Sequence, residues 1–194
     1  QWEDSYIRML TVKLGAIVDI SNVTFFGGDA LSEGPAIQVK ANGAVNAENV
    51  FFIDNGSQRG GGAVHVYNGN FSCVNCEFSH NESDADGGAI YADFGSVVAL
   101  QNTLFSSNSA QQGGAISLND SVLTSSDVLY TSNVASTEGG AVAVFNNSLL
   151  NSTKDRYWKN QADLNGGAVV MRNLTSSASQ IVNAQFQDNI SFVD

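Results

Sequence analysis

Lysine and arginine are scarce in this chain. Eight of them stand against 19 Asp and Glu in 194 residues, a formal net charge of −11. A surface of that sign repels phosphate backbones, which removes nucleic acid from the expected partners. Charged residues of both signs make up only 14%, well under the usual quarter. No apolar run approaches the ~18 residues of a membrane span. Proline occurs once and cysteine twice, at Cys73 and Cys76. No signal peptide is visible and residue 1 is Gln, so the chain reads as a processed or excised one. The hydrophobic share of 43% is that of a globular fold and too high for disorder. The length is that of one domain.

Glycine is abundant, and it is placed periodically. Gly-Gly-Ala recurs at Gly61-Gly62-Ala63, Gly87-Gly88-Ala89, Gly113-Gly114-Ala115, Gly139-Gly140-Ala141 and Gly166-Gly167-Ala168, with Gly34-Pro35-Ala36 as a variant ahead of them. Successive starts differ by 27, 26, 26, 26 and 27 residues. Three residues after the first Gly stand Ile37, Val64, Ile90, Ile116, Val142 and Val169, and five after it Val39, Val66, Ala92, Leu118, Val144 and Met171. The residues between, such as His65, Tyr91 and Ser117, are mixed and often polar. That is period 2, a strand with one buried face, and it predicts that His65 and Tyr91 point outward to solvent.

An aromatic column keeps the same beat: Phe25, Phe52, Phe78, Phe105, Tyr130, Trp158 and Phe186. Asn or Asp precedes each by three residues, at Asn22, Asn49, Asn75, Asn102, Asp127, Asp155 and Asn183. Another Asn follows most of them by three, at Asn55, Asn81, Asn108, Asn133 and Asn189; Asn160 keeps this spacing from Tyr157 instead, a slip in that repeat, and Gly28 takes the place in the first. A repeat of about 26 residues is too short for a strand–helix–strand crossover of ~30, and room for three short strands and their turns is what it has. A single coil cannot bury its own apolar side. Stacked at about 4.8 Å, coils form parallel sheets around a continuous core. The sequence therefore predicts an all-β, right-handed parallel β-helix (a β-solenoid) of about seven coils, with like residues piled in columns. Phe52, Phe78, Phe105, Tyr130, Trp158 and Phe186 are its expected core stack, and the Asn columns are expected to hydrogen-bond along the rod. The Gly pairs mark a corner that needs φ > 0 or close backbone approach. The whole of 1–194 reads as one domain: 1–24 a partial coil or joining segment, 25–189 regular coils, and 190–194 the C-terminal end.

The motif Phe78-Ser79-His80-Asn81 followed by Gly87-Gly88-Ala89-Ile90 repeats as Phe105-Ser106-Ser107-Asn108 followed by Gly113-Gly114-Ala115-Ile116. This resembles the repeat signature of the polymorphic outer-membrane proteins of chlamydiae, from about Phe25 to Asn189. The resemblance implies a β-helical passenger displayed on the cell surface and used in adhesion. That family's membrane barrel has no counterpart in these residues, and no catalytic residues come with the motif.

A second pattern points to a secreted eukaryotic glycoprotein. The acceptor Asn-x-Ser/Thr occurs at Asn22, Asn55, Asn70, Asn81, Asn119, Asn146, Asn151, Asn173 and Asn189, nine of 21 Asn. With 31 Ser and Thr in the chain, chance gives roughly three or four. Only Asn55, Asn81 and Asn189 share a repeat column, so the repeat multiplies one accident only in part. Glycans at these positions would cover the turns of the rod.

The remaining constellations carry little chemistry. Cys73-Val74-Asn75-Cys76 lacks both the thioredoxin-like setting of a redox pair and the second ligand pair of a zinc site. It reads as a local disulfide or as two thiols in the stack. His65 and His80 lack a nucleophile at any recognisable motif. Asp84, Asp86 and Asp93 lie loosely around Gly87-Gly88 without a calcium-loop pattern and read as a solvated loop. Asp127 and Asp155, one from each of two neighbouring coils, are expected to face inward in place of Asn. They are the only carboxylates that suggest a polysaccharide-degrading enzyme, which also needs long loops around a cleft, and these coils are nearly equal in length. The expectation is an extracellular or cell-surface structural module with no cofactor, no metal and no catalytic residues. It would be a glycosylated rod or filament subunit that associates end to end or continues a longer β-helix. The alternative is an adhesin passenger with a glycan or cell-surface partner.

Overall fold

The computed structural model describes residues 8–174 and 178–192. Residues 1–7 of the expected partial coil or joining segment lie outside that range, as do 193–194. Within it there is no helix, and the chain forms a parallel β-solenoid of seven coils. Each coil gives one strand to each of four seven-stranded parallel sheets. In the fourth coil these are Ile90–Asp93, Val97–Gln101, Leu104–Ser106 and Ser109–Gln112. We number the sheets one to four in that order and name each corner by the strands it joins.

Three strands per coil were expected and there are four. The extra strand is often only two residues long, as at Glu82–Ser83 and Gln161–Ala162. Its inward residues are small: Ala30, Ser57, Ser83, Ala110, Ala135 and Ala162. Two residues cannot show a period, and Ala and Ser give no apolar signal.

Register is kept from coil to coil. Ile90 pairs with Val64 on one side and Ile116 on the other, and Phe78 with Phe52 and Phe105. The aliphatic columns and the aromatic column fill the interior, where Phe52, Phe78, Phe105, Tyr130 and Tyr157 are fully buried. Their rings stack face to face, with centroids 4.4 Å apart for Phe52–Phe78 and 4.6 Å for Phe78–Phe105. One member of the expected stack is wrong. Tyr157, not Trp158, continues it between Tyr130 and Phe186. Trp158 points outward, 42% exposed, beneath the ammonium of Lys159. The cause is the slip noted in the sequence: here Lys154 takes the left-handed corner that Asp127 and Asn183 hold in the neighbouring coils.

Each corner turns through a residue with positive φ. The one–two corner uses Asn68, Asp120 and Asn173; the two–three corner Asn22, Asn49, Asn75, Asn102 and Asp127; the three–four corner Asp54, His80 and Ser107. Asn and Asp tolerate this conformation better than other L residues. The four–one corner uses the first Gly of each pair, for a second reason. At Gly87 (φ +64°) a Cβ would strike the carbonyl oxygen of Ile90, and at Gly88 it would strike that of Gly114 in the next coil. The corner is a point of backbone contact between coils, so the five complete pairs keep Gly at both positions, while the first corner has Pro35 at the second.

Two Asn columns have different fates. The one before the aromatics is exposed at the two–three corner, with long amide contacts such as Asn75 Nδ2 to Asn49 Oδ1 at 3.4 Å. The one after them is buried at the three–four corner. There Asn108 Nδ2 donates to Asn133 Oδ1 (2.9 Å) and to the Phe78 carbonyl (3.0 Å), while its own Oδ1 accepts from Asn81 Nδ2 (2.9 Å) and from the Asn81 backbone N–H (3.0 Å). Every polar group of the side chain is used. A shorter serine ladder does the same at the one–two corner: the Ser96 and Ser121 backbone N–H groups donate to the Oγ of Ser121 and Ser148.

Phe105 is the middle of the aromatic stack. Its replacement by Ala removes contacts to Phe78 and Tyr130 at once and leaves a cavity that neighbouring coils cannot close. Phe105→Ala is expected to lower the free energy of unfolding by about 3–5 kcal/mol, read from denaturant titration. A shift below about 1 kcal/mol would mean that the column is not the core.

Candidate functional site

The two aspartates that suggested a carboxylate pair do not share a face. Asp127 is exposed at the two–three corner, contrary to the expectation that it turns inward. It sits at a left-handed position (φ +57°), and such a corner residue points away from the core. Asp155 is displaced by one residue in the slipped coil and is fully buried. It accepts from Ser152 Oγ at 2.7 Å, from Ser125 Oγ, and from the Val128 backbone N–H at 2.9 Å. Tyr157 Oη lies 3.2 Å from Ser152 Oγ. This is an enclosed interior network. It occupies the same two inward columns that hold Cys73 and Cys76 three coils earlier. Those cysteines form a disulfide with Cα atoms 6.0 Å apart, which decides between the two states left open by the sequence. One coil is thus tied across its two–three corner by a covalent bond and another by a hydrogen bond.

The nine glycosylation acceptors separate by exposure. Asn22, Asn70, Asn146 and Asn173 are exposed, and Asn119, Asn151 and Asn189 are half-buried. Asn55, Asn81 and Asn189 are rungs of the amide ladder, with Nδ2 committed to the carbonyls of Phe25, Phe52 and Tyr157. A glycan at any of them would displace that rung, so the folded rod excludes these three.

The outer side of sheet one holds an aromatic group outside the core. The expectation that this column faces solvent is overturned along its length: Gln38, His65, Ser117, Ala143 and Val170 are buried, and Tyr91 is half-buried. The turn before each Gly pair lies over them. A Cβ at Gly34 would strike His65, and one at Gly60 would touch the Tyr91 ring. His65 stacks on Tyr91 with centroids 5.4 Å apart, meets Tyr67 edge-on at 6.4 Å, and Tyr67 meets Phe94 at 4.9 Å. His65 Nε2 lies 3.1 Å from Asp93 Oδ1. A carboxylate only accepts, so Nε2 carries the proton. His65 Nδ1 and Gln38 Oε1 have no partner among the described residues. Burial pushes the Tyr91 hydroxyl up; a hydrogen bond with Asn119 opposes this, and the charges of Asp93, Asp86 and Glu33 add to it. Burial also pushes the Asp86 carboxyl up.

His80 is exposed at its corner, as expected. Asp84 is exposed, Asp86 half-buried and Asp93 buried against His65, so they do not converge. Among the described residues no group of three or more His, Cys, Asp and Glu could hold a metal ion. No helix is long and apolar enough to cross a membrane. Among several surface concavities, two lie at a corner and at an end of the rod. One of about 340 Å³ follows the two–three corner, between Asn102 and the outward side chains Phe51, Leu104 and Arg156. The other, of about 650 Å³, is the open end of the last coil, lined by Met171, Ile181 and Phe186.

The model of the Chlamydia polymorphic membrane protein repeat matches residues 75–93 and 102–119. Those two segments are similar to the family's repeat, and the β-solenoid they sit in is consistent with it. Neither the curated proteins nor the solved structures give a match. Each matched segment runs from the two–three corner through the stacked aromatic, the buried Asn and the Gly pair to the end of the next strand in sheet one. Its signature residues are those that close a coil on its neighbour.

Burial, opposed by the three hydrogen bonds it accepts, raises the Asp155 carboxyl above the ordinary carboxylate range. Between its unfolded and folded pKa values the native state therefore binds more protons than the unfolded one, so stability falls as pH rises through that window and is level above it. Asp155→Asn is expected to flatten this slope and to be at least as stable as the parent at pH 7. Asp155→Ala, which strands three donors, is expected to cost about 1–3 kcal/mol. Unfolding midpoints between pH 3 and 8 check both. A parent whose stability instead rises with pH across that window would show that the hydrogen bonds outweigh burial.

Proposed function

We propose that this chain is a non-catalytic structural β-helix module displayed on a surface, a glycosylated rod. The observation that carries this reading is where the repeat's residues go. The aromatic, the Asn, both Gly, the Ala and the following Ile or Val are all spent on stacking coils, and none converges on a cleft. The repeat family's description as a membrane protein supports a surface location. The acceptor pattern supports glycans, and six of the nine sites lie outside the buried amide ladder.

An end-to-end contact or a further coil is the second element of this proposal, and the Phe186 end of the aromatic stack supports it. Phe186 is 52% exposed, while Phe25 at the other end is buried. Ile181 and Ile190 are exposed beside Phe186, above strand edges that can accept another coil. An adhesive passenger is the alternative reading, supported by the long lateral faces and by the aromatic group outside sheet one.

Expression through a eukaryotic secretory route, followed by glycopeptide mass spectrometry, tests the glycosylated rod. Hexosamine is expected on several of Asn22, Asn70, Asn146 and Asn173 and on none of Asn55, Asn81 and Asn189. Folded, secreted protein that carries no glycan, or carries it at Asn55, Asn81 or Asn189, would overturn the assignment. Light scattering of the purified chain separates a monomer from end-to-end assemblies.

A further inference from the structure

We propose that the aromatic group outside sheet one, centred on Tyr67 and Phe94, docks an arginine-bearing segment of a partner protein. Tyr67 is 40% exposed and Phe94 59%, and their rings continue inward through His65 to Tyr91.

Phe94 is the first reason to look here. Its backbone is left-handed (φ +55°), at the corner where other coils place Asn42, Asn68, Asp120, Asn146 and Asn173. A bulky residue is disfavoured in that conformation. The ring is not buried, so core packing does not explain the choice. Strain kept at an exposed position points to a use for the side chain.

Charge names the occupant. From residue 60 to residue 153 there is no Lys or Arg, and there are eight Asp and Glu. The other 100 residues hold all eight basic residues. The aromatic group lies within this stretch, and on the side of the preceding coil the exposed Lys40 is in register with Tyr67. Asp120 follows Phe94 in the same corner column, Asp93 precedes it in the chain, and Asp86 and Glu33 act on Tyr91 through space. Aromatic faces with carboxylates on one side, here Asp120 beside Phe94 and Asp86 near Tyr91, favour cations over anions. The hydrogen bonding agrees. At the base of the group, His65 Nδ1 and Gln38 Oε1 are acceptors without a donor, on side chains only 5% and 4% exposed. A guanidinium combines a positive charge, a planar face that stacks on aromatic rings and several N–H donors, which favours Arg over Lys.

The docking site rests on the rod reading only in needing the coils folded. The test uses the full 194-residue chain and the peptide Gly-Arg-Gly-Arg-Gly-Arg amide, with Lys and citrulline versions as controls, followed by calorimetry at low salt. The expected order is Arg over Lys, with citrulline not bound. Phe94→Asn restores the corner's usual residue. It is expected to weaken Arg-peptide binding about tenfold while the unfolding midpoint holds or rises by about 2–4 °C. Tyr67→Ala is expected to weaken binding similarly. The double change Glu77→Gln, Glu82→Gln, on sheets three and four, is expected to alter it less than about threefold. Equal binding of the citrulline peptide, no effect of Phe94→Asn, or equal losses from acids on every face would overturn the site and leave attraction by net charge alone. Competition by a neutral oligosaccharide would reassign it to sugar. In each of these cases the strand signal in circular dichroism is unchanged and the rod reading survives. Loss of that signal in the parent chain would count against the rod itself.

Discussion

Coil stacks on coil in one register, and the buried amide ladder is where that constraint is tightest. Each Asn of the ladder accepts from the coil before it and donates to the coil after it, and also closes on the carbonyl of the aromatic residue one coil back. A one-residue slip would leave a buried amide with donors and acceptors unmatched, at about 1–3 kcal/mol for each stranded group. The slipped sixth coil shows how strict this is. Its amide, Asn160, stays in line with Asn133 and Asn189, and the slip is absorbed by moving Tyr157 into the stack and Trp158 out of it. The ladder position is held and the aromatic identity is what changes.

Once register is fixed, the remaining features follow locally. Columns of like residues pile up because strands pair in parallel without offset. Ring stacking is then the only arrangement open to aromatics separated by one coil spacing. The four–one corner brings backbone against backbone at the five Gly pairs, which excludes a Cβ there. At the positive-φ positions of the other three corners Asn, Asp, Ser, His or Lys is accommodated. Neighbouring columns supply partners for some interior polar groups, as Ser125 and Ser152 do for Asp155, while the buried Tyr130 hydroxyl has none among the described residues.

Much of this architecture is legible in the residues because a solenoid writes its contacts as a period. The repeat length, the buried Ile/Val columns, the aromatic column and the Gly corner can each be read by spacing alone. What escapes is what has no period or breaks it. The fourth strand is too short to alternate. The choice between Tyr157 and Trp158 turns on one displaced corner residue, Lys154, although the spacing of Asn160 carried the clue. The burial of His65 depends on a turn crossing over it, from a segment some 30 residues earlier in the chain, and no pattern within the strand records that. Asn55 and Asn81 match a glycosylation motif as a string, but their amides are spent inside the rod.

The same logic explains why the repeat family speaks to fold more than to role. Positions that the signature prescribes face inward or touch another coil, and their chemistry is used up in stacking. Positions that it leaves free face outward, and there a rod can acquire a partner without disturbing its core. Departures from the repeat on the outside are therefore the informative residues. Trp158 is one, but it arises from a slip that the interior forces. Phe94 is different, because the interior around it is regular: Ala92 is buried in its column, Ser96 joins its ladder, and the register to the coils on both sides is unbroken. Nothing in the stacking asks for a phenylalanine at that corner. Asn would satisfy the backbone better, which makes Phe94 a residue explained by something outside the fold.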